Sequence, residues 1–511
     1  MNKRIVIHLA SVVAAIVGFA MLCTGGVSRI MGDPLEDTLQ ILLCALFTLA
    51  VSLSLAFFTR PRTERERKVT MREGFAVVAF SWFSACLFGC LPFIVVVEMN
   101  WYDAIFETVS GFTTTGATLI DNTLGLANGK TLPEGIESLS FGVLFWRALT
   151  HWLGGMGIVV LSIAVLPLLN IGGQVLYSAE VTGVKSSGDQ LTPRIAGTAK
   201  LLWLVYVFLT ALETIFLWAG GLSLFDALCE SFSTIATGGF STKTDSIGAY
   251  NSNYVNWVVI VFMFLAGCNF VLHFRAITGK PKSYWKDEEF RFYTLIILFS
   301  TLVITGLLFF SDVLDPMSGK EYRHDLLGSF EAALFQVVAI LTSTGFSTGD
   351  YTAWPTAAGA LLFGLMFVCA CGGSTTGGLK CVRVLLLGKY ALSAVKRCIY
   401  PRMIPDVRLN STRLEENTIQ KAVGFFALFI ATYFIFVLLL TLACEMNLDT
   451  ALSASITCLS NVGPGFAQIG PSCSFAWMTP AAKLILSFEM LLGRLELFTI
   501  LLLFLPSFWR R

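Results

Sequence analysis

Four stretches decide how this chain folds: Asp103-AIFETVSGFTTT-Gly116, Asp226-ALCESFSTIATG-Gly239, Ala332-ALFQVVAILTST-Gly345 and Thr450-ALSASITCLSNV-Gly463. They align without a gap. Ala follows the first residue of every copy, and Leu or Ile comes next. Phe240-Ser241-Thr242 and Phe346-Ser347-Thr348 follow their glycines identically, whereas the first copy continues Ala117-Thr118 and the fourth Pro464-Gly465. Such self-similarity is the mark of a repeat architecture. Each stretch opens with roughly two to three turns of helix, too short for a hydrocarbon core that needs about 20 residues. It then enters a Ser/Thr and β-branched segment that ends in glycine. Helix followed by extended backbone at membrane depth survives only where it lines water or is buried in protein. Four such segments converging on one axis replace the hydration shell of a cation with carbonyl oxygens. Glycine supplies the positive φ that turns successive carbonyls inward. The C-terminal ends of the short helices add negative potential there. The candidate oxygen donors are Thr114, Thr115 and Gly116; Thr237, Gly238 and Gly239; Ser343, Thr344 and Gly345; and Asn461, Val462 and Gly463. Turn chemistry would account for one such loop, but not for four gapless copies between oppositely directed spans.

The remainder of the chain supports a membrane setting. Of 511 residues 55% are hydrophobic and only 14% charged, against about 25% charged in soluble domains. A formal net charge of +1 excludes nucleic acid as a partner and leaves lipid as the solvent of the apolar surface. The 13 cysteines lie mostly in apolar runs, as at Cys44, Cys86, Cys90, Cys229 and Cys268, and form no CxxC pair. Cys369 and Cys371 are too close for the usual zinc spacing, and the four histidines (His8, His151, His273, His324) are scattered. No nucleophile stands with a base and no Gly-rich nucleotide loop is present. We therefore expect no enzyme and no bound cofactor, the transported ion apart.

Apolar spans fall near 5–25, 37–58, 73–98, 141–169, 200–221, 254–276, 292–311, 355–370, 417–443 and 477–508. The first follows Lys3 and Arg4 but is long for a signal peptide and reads as a retained helix. Basic residues gather in alternate loops: Arg60, Arg62, Arg65, Arg67, Lys68 and Arg72; Lys185, Arg194 and Lys200; Arg275, Lys280, Lys282, Lys286 and Arg291; Lys389, Lys396, Arg397, Arg402 and Arg408; and Arg510 with Arg511. Acids such as Asp33, Glu36, Asp37, Asp103, Glu134, Glu137, Asp312, Asp315, Glu445 and Asp449 occupy the others. The positive-inside rule then puts both termini in the cytoplasm and an acidic mouth outside. The fold expected is an all-α polytopic membrane protein. It divides into two N-terminal helices (1–68) and four helix–loop–helix repeats at 69–198, 199–290, 291–410 and 411–511 around one central ion pathway.

These features resemble the Trk/Ktr/HKT superfamily of K+ transporters, most closely bacterial TrkH-type subunits. The matching residues are Thr-Val-Ser-Gly-Phe-Thr-Thr-Thr-Gly-Ala-Thr at 108–118, Phe145-Trp146-Arg147, Trp152-Leu-Gly-Gly-Met-Gly-Ile at 152–158 and Ala236-Thr-Gly-Gly-Phe-Ser241. Thr344-Gly-Phe-Ser-Thr348, Gly372-Gly-Ser-Thr-Thr-Gly-Gly378 and Gly463-Pro-Gly465 complete the set. Their order and spacing cover nearly the whole chain. The resemblance implies K+ uptake across a bacterial inner membrane, a homodimer with one pore per protomer, and a cytosolic nucleotide-binding regulatory subunit of the TrkA type. It also implies K+ preference where glycine holds the filter position of every repeat, as Gly116, Gly239, Gly345 and Gly463 do here, and Na+ permeation where serine replaces the first. Asn461-Val462 departs from the Thr-rich pattern.

Two further elements bear on gating. Gly372, Gly373, Ser374, Thr375, Thr376, Gly377 and Gly378 interrupt an apolar run, and each interior glycine costs a helix about 1 kcal/mol relative to Ala. In the resembled family such a loop obstructs the pore beneath the filter. Arg494 lies inside the last apolar span, where an uncompensated charge costs at least ~2.5 kcal/mol. The resemblance makes it an electrostatic barrier; an ion pair with Glu489 or Glu496 is the structural alternative. His151 reads as a hydrogen-bonded helix residue rather than a proton relay, and Glu213 awaits a partner. A secondary transporter coupling K+ to H+ or Na+ is the alternative function, and the few intramembrane carboxylates visible in sequence count against it.

Overall fold

A computed structural model describes residues 2–62, 70–157, 195–402, 407–410, 412–414 and 416–509. Arg65, Arg67, Lys68, Lys185, Arg194, Arg510 and Arg511, the division at 68/69 and the far half of the expected span 141–169 lie outside the described residues.

The chain opens with a hairpin of two long helices, α1 (Lys3–Met31) and α2 (Leu35–Thr59). Gly18 and Gly25 of α1 let it approach closely, since a Cβ on Gly18 would meet Leu49 at 3.0 Å and one on Gly25 would overlap Leu42. Gly32, left-handed at φ 86, ends α1. Helix α3 (Met71–Gly89) begins on a Thr70/Glu73 capping box, and Glu73 also accepts the Asn2 amide at 2.7 Å.

A helix–short helix–helix order then recurs. The short helices are α4 (Trp101–Phe112), α7 (Leu224–Ile235), α11 (Leu326–Leu341) and α15 (Leu448–Leu459). Twelve residues in α4, α7 and α15 reach only about 18 Å, well under a ~30 Å hydrocarbon core. Each short helix is buried along most of its length, so its polar groups face protein rather than lipid. The outer helices are α3, α6 (Ile195–Ala219), α10 (Glu288–Phe309) and α14 (Glu416–Ala443). They belong to the six described helices long and apolar enough to cross a membrane.

The returning helices are where pattern and structure part. The expected span 254–276 is two helices, α8 (Asn253–Ala266) and α9 (Phe270–Ile277), bent by 101°. The cause is local: Gly267 ends the first, and the Asn269 side chain caps the second by accepting from the Val271 amide at 2.9 Å. The span 477–508 likewise splits into α16 (Pro480–Arg494) and α17 (Phe498–Phe504), with Glu496 and Leu497 at positive φ between them. Helix α5 (Phe141–Trp152) widens into a π turn at Leu153–Gly157. In the third repeat, α12 (Thr356–Met366) and α13 (Cys381–Ile399) flank the glycine-rich loop. All four returning helices therefore depart from regular α geometry part-way down. In the first, second and fourth repeats hydropathy sees one apolar run, because each break is only a few residues long and is averaged into its neighbours.

The N-terminal hairpin is tied to the repeats by one buried acid. Asp33 accepts hydrogen bonds from the Phe141 amide (2.9 Å), the Gly142 amide (2.7 Å) and Ser28 Oγ (2.7 Å), so it caps α5 from outside its own helix. Loss of an N-cap acceptor costs about 1–2 kcal/mol. Asp33→Ala is expected to lower the melting temperature of the detergent-solubilised protein, followed by size exclusion after heating, while Asp37→Ala on the neighbouring turn leaves it nearly unchanged. Equal melting for Asp33→Ala and wild type would contradict this capping role.

Candidate functional site: a ring of four loops above a broken helix

All four short helices end in the same way. The residue after each C-cap is left-handed although it is not glycine: Thr114 (φ 53), Thr237 (φ 56), Ser343 (φ 50) and Asn461 (φ 54). Its amide and the next bond back to the helix in Schellman fashion. Thr114 N donates to Gly111 O and Thr115 N to Ser110 O; Thr237 N to Thr234 O and Gly238 N to Ser233 O. Ser343 N donates to Ile340 O and Thr344 N to Ala339 O; Asn461 N to Cys458 O and Val462 N to Thr457 O. Two residues further on, Gly116 (φ 77), Gly239 (φ 83), Gly345 (φ 74) and Gly463 (φ 96) are left-handed again. The residue between them is not, so φ changes sign at each step and successive carbonyls can face one side. Sequence reasoning foresaw the glycine half of this pattern. It missed the strained Thr, Thr and Ser, whose residue types do not announce a positive φ, and it passed over Asn461, whose type is enriched there and could have signalled it.

The glycines also close the ring. A Cβ on Gly116 would strike the carbonyl oxygen of Gly238, one on Gly239 that of Thr344, one on Gly345 that of Val462, and one on Gly463 that of Thr115. Each partner is the residue just before the next loop's glycine. The contacts return to their start, so the four loops surround one axis in chain order. Among the described residues, none of the carbonyl oxygens at the twelve ring positions accepts a hydrogen bond. All twelve residues are buried except Gly116 and Gly239, which are half-buried.

Buried polar groups brace this ring from outside. Glu107 of α4 accepts from Thr118 Oγ1 (2.9 Å) and Leu119 N (3.0 Å). Glu230 of α7 repeats the pattern with Ser241 Oγ (2.6 Å) and Thr242 N (3.1 Å). Arg147 joins the two units: its Nε lies 3.0 Å from Glu107 Oε1, it donates to Ser241 O at 3.1 Å, and it stacks 4.2 Å over Phe240. The third loop has Gln336 at the corresponding position, without a partner among the described residues, and the fourth has Ala454. There the seam is made differently: Asn461 Nδ2 donates to Thr115 Oγ1 (2.9 Å) and Met490 O (3.0 Å), and Lys483 pairs with Asp103 at 2.6 Å. His151 stacks on Phe240 at 4.1 Å, and its Nδ1 accepts the Phe240 amide at 3.3 Å, as a packed helix residue would.

The glycine-rich loop lies against one end of the ring. Thr237 Oγ1 donates to Thr375 Oγ1 at 3.1 Å, and Thr375 Oγ1 donates to Ile235 O at 3.2 Å. A Cβ on Gly377 would overlap Asn461 Oδ1, and one on Gly378 would meet Ser460 Cβ at 3.2 Å. The loop thus touches the second and fourth segments at their first ring position. Gly373 accepts the Phe270 amide through its carbonyl at 3.2 Å. One carboxylate ties the start of the loop to the start of α13: Glu289 Oε1 accepts from Gly372 N (2.6 Å) and Val382 N (3.0 Å). Ser374 and Thr376 hydroxyls lie 2.9 Å apart, and Lys380 Nζ donates to the Thr376 carbonyl.

Arg494 meets the loop from the fourth repeat. It donates to the carbonyls of Thr375, Gly154 (2.6 Å) and Gly155 (2.9 Å), linking the breaks of three returning helices. Of the carboxylates suggested for it, Glu489 accepts from Ser455 Oγ at 2.5 Å and Glu496 pairs with Arg383 at 2.5 Å. On the opposite side of the ring is a cavity of about 60 Å³ that Gly116, Gly239, Gly345 and Pro464 all line. Intramembrane carboxylates prove more numerous than hydropathy suggested. Glu107, Glu213, Glu230, Glu289 and Glu489 are all buried, and neither oxygen of Glu213 has a partner among the described residues. Cys369 and Cys371 are free thiols, and no cluster of metal-ligating side chains occurs among the described residues.

The chain's likeness to known proteins agrees with this geometry. A family model described as TrkH, cation transport protein, matches residues 40–511. The "Trk system potassium uptake protein TrkH" of Salmonella typhimurium is 39% identical over 453 residues, 88% of each chain. The protein of that name from Vibrio parahaemolyticus is 36% identical over 521 residues and the full length of both. The crystal structure of the potassium transporter TrkH from Vibrio parahaemolyticus superposes with a TM-score of 0.85 at 33% identity and covers 100% of both chains. By sequence over most of its length, and by a mostly helical membrane fold, this chain belongs to the TrkH family of cation transport proteins.

Proposed function

We propose that this protein carries K+ into the bacterial cell across the inner membrane, through a selective, channel-like pore whose filter is the ring of four loops. One observation carries the reading: the carbonyls at Thr114–Gly116, Thr237–Gly239, Ser343–Gly345 and Asn461–Gly463 have no donor among the described residues, although nearly all their residues are buried. Unpaired carbonyls at membrane depth are costly unless a cation takes them as its hydration shell. K+ enters the reading from the relatives, which are potassium uptake proteins by name. The carbonyl ends of four helices aimed at the ring favour a cation over an anion.

In this reading residues 372–378 are the gate and Arg494 its electrostatic latch. The loop abuts the ring, Glu289 ties its start to the start of α13, and the guanidinium holds the Thr375 carbonyl. Opening then requires the loop to leave Thr237 and Asn461 and Arg494 to change partners. A cytosolic nucleotide-binding subunit of the TrkA type would supply the work, and a homodimer with both termini cytoplasmic would be its platform. The repeat boundaries at 69–198, 199–290, 291–410 and 411–511, after a 1–68 hairpin, belong to the same proposal. The second reading, symport of K+ with H+ or Na+, is favoured by one observation, the buried Glu213, whose oxygens have no partner within hydrogen-bond geometry among the described residues.

Liposomes loaded with K+ and holding the purified protein test the reading through uptake of radiolabelled Rb+. A passive K+ pathway gives uptake driven by the K+ gradient alone, competed by external K+ and not by Na+, with a reversal potential at the K+ equilibrium potential. A reversal potential that moves with imposed H+ or Na+ gradients would establish the coupled reading instead.

Three substitutions follow. At Gly116 a side chain meets the Gly238 carbonyl at a φ of 77, where a Cβ costs roughly 1–2 kcal/mol. Gly116→Ser is therefore expected to cut the K+/Na+ permeability ratio by about tenfold, and an unchanged ratio would remove Gly116 from the filter. Arg494→Ala is expected to raise Rb+ flux by about tenfold or more, since a unit charge beside the ion path is worth over ~1 kcal/mol there; a folded variant with unchanged flux ends the barrier role. Glu289→Ala removes two buried hydrogen bonds worth about 1 kcal/mol each and should raise basal leak several-fold, whereas leak equal to wild type would show that the loop is pinned elsewhere.

A further inference from the structure

The cavity on the side of the ring away from the glycine-rich loop has an unexpected lining for a cation pathway. Alongside Gly116, Gly239, Gly345 and Pro464 it is bounded by Arg147 and Lys243. The two bases differ in their surroundings. Arg147 is neutralised by Glu107 at 3.0 Å and is nearly inaccessible. Lys243 is half-buried and has no ion pair among the described residues. The acids around it are already engaged: Glu137 accepts from the Thr244 amide at 3.0 Å and from its hydroxyl, and Asp121 from Leu124 N at 2.9 Å and from Ser474 Oγ. Asp245, two residues along the same turn, is exposed.

The turn that carries Lys243 is held in place. Its amide donates to Ser241 Oγ at 3.1 Å and its carbonyl accepts from Ser246 N at 3.2 Å. Ser241 is anchored in turn by Glu230 and Arg147. The backbone of Lys243 is therefore held at the wall of a narrow mouth, four residues past a ring glycine, and its side chain lines the cavity there. An ammonium at such a place repels every cation that arrives from that side.

We propose that Lys243 sets the affinity of this protein for external K+, as a resident cation that an entering ion must approach and pass; the inference rests on the pore reading given above. Its charge raises the free energy of an ion at the outer end of the ring. That lowers occupancy at low external K+ but leaves the rate at saturation almost unaltered. A unit charge several ångströms away, partly screened by water in the mouth, changes occupancy by about three- to tenfold. Because the mouth is open to solvent, the effect should fade as ionic strength rises and the Debye length drops below about 10 Å.

The test is the concentration dependence of Rb+ uptake into K+-loaded liposomes for wild type, Lys243→Arg, Lys243→Gln and Lys243→Glu, at low and high choline chloride. Lys243→Gln is expected to lower KM about fivefold and Lys243→Glu further, with maximal rates within about twofold of wild type. Lys243→Arg should keep the wild-type KM, and high salt should bring all four together. A merely structural lysine would alter maximal rate or yield of folded protein and give no salt-dependent order of KM. Wild-type uptake with one KM across all four proteins overturns this inference alone; liposomes holding the Arg494→Ala variant, whose gate this reading opens, that take up no Rb+ with or without an H+ or Na+ gradient overturn the pore reading and this inference with it.

Discussion

Carbonyl oxygens of mostly buried residues, with no donor among the described residues, are what the rest of this molecule is arranged around. Twelve residues contribute them, three from each of four loops. Lipid cannot satisfy such groups, so the backbone that carries them must be enclosed by protein on every side but one. The short helices, the acids that brace the loops and the broken returning helices all serve that enclosure. The glycines perform the closest part of it. Each presses its α-carbon against the carbonyl of the next loop, and no other side chain fits there without displacing backbone. The four loops are thus one object, and a change in one is felt by its neighbour.

The strain in the ring is distributed evenly. A left-handed Thr, Ser or Asn carries a cost that glycine would avoid. The protein bears that cost four times because a Schellman end leaves the next carbonyl free, and in two of the four the side chain makes a further contact. Thr237 reaches the glycine-rich loop, and Asn461 reaches both Thr115 and the fourth returning helix. The unusual fourth loop is thereby explained: where the first two loops use a glutamate and an arginine, the fourth uses the asparagine amide to bind its neighbour. Pseudo-fourfold geometry is kept while the chemistry of each quadrant differs.

Beneath the ring, one carboxylate and one guanidinium organise the break in the third repeat. Glu289 ties the start of the glycine-rich loop to the start of α13, and Arg494 gathers carbonyls from the first and third returning helices. Both are buried charged side chains whose partners are mostly backbone. Under the gating proposal such contacts hold the loop in place and would be lost together on opening, which suits a two-position element better than a graded one.

Much of this was legible in the sequence. The gapless repeats Asp103–Gly116, Asp226–Gly239, Ala332–Gly345 and Thr450–Gly463 determine helix, loop and glycine position by themselves, because their periodicity and Gly placement are local properties. The break at Gly372–Gly378 is also local. Other features depended on the third dimension. Glu107, Glu230 and Glu289 look like stray acids in apolar runs until the fold brings backbone amides to them. Arg494 could be given only carboxylate partners from sequence, since proximity along the chain offers Glu489 and Glu496, whereas folding offers carbonyls of Gly154, Gly155 and Thr375, more than a hundred residues away. The 101° bend after Ala266 was written in Gly267 and Asn269, but hydropathy averages over a window and cannot see two residues. What the sequence by itself determined is each loop and its glycine, because backbone freedom is set residue by residue. Only the tertiary structure decided which loop faces which and what lies beneath them, because those contacts join residues that no local rule relates.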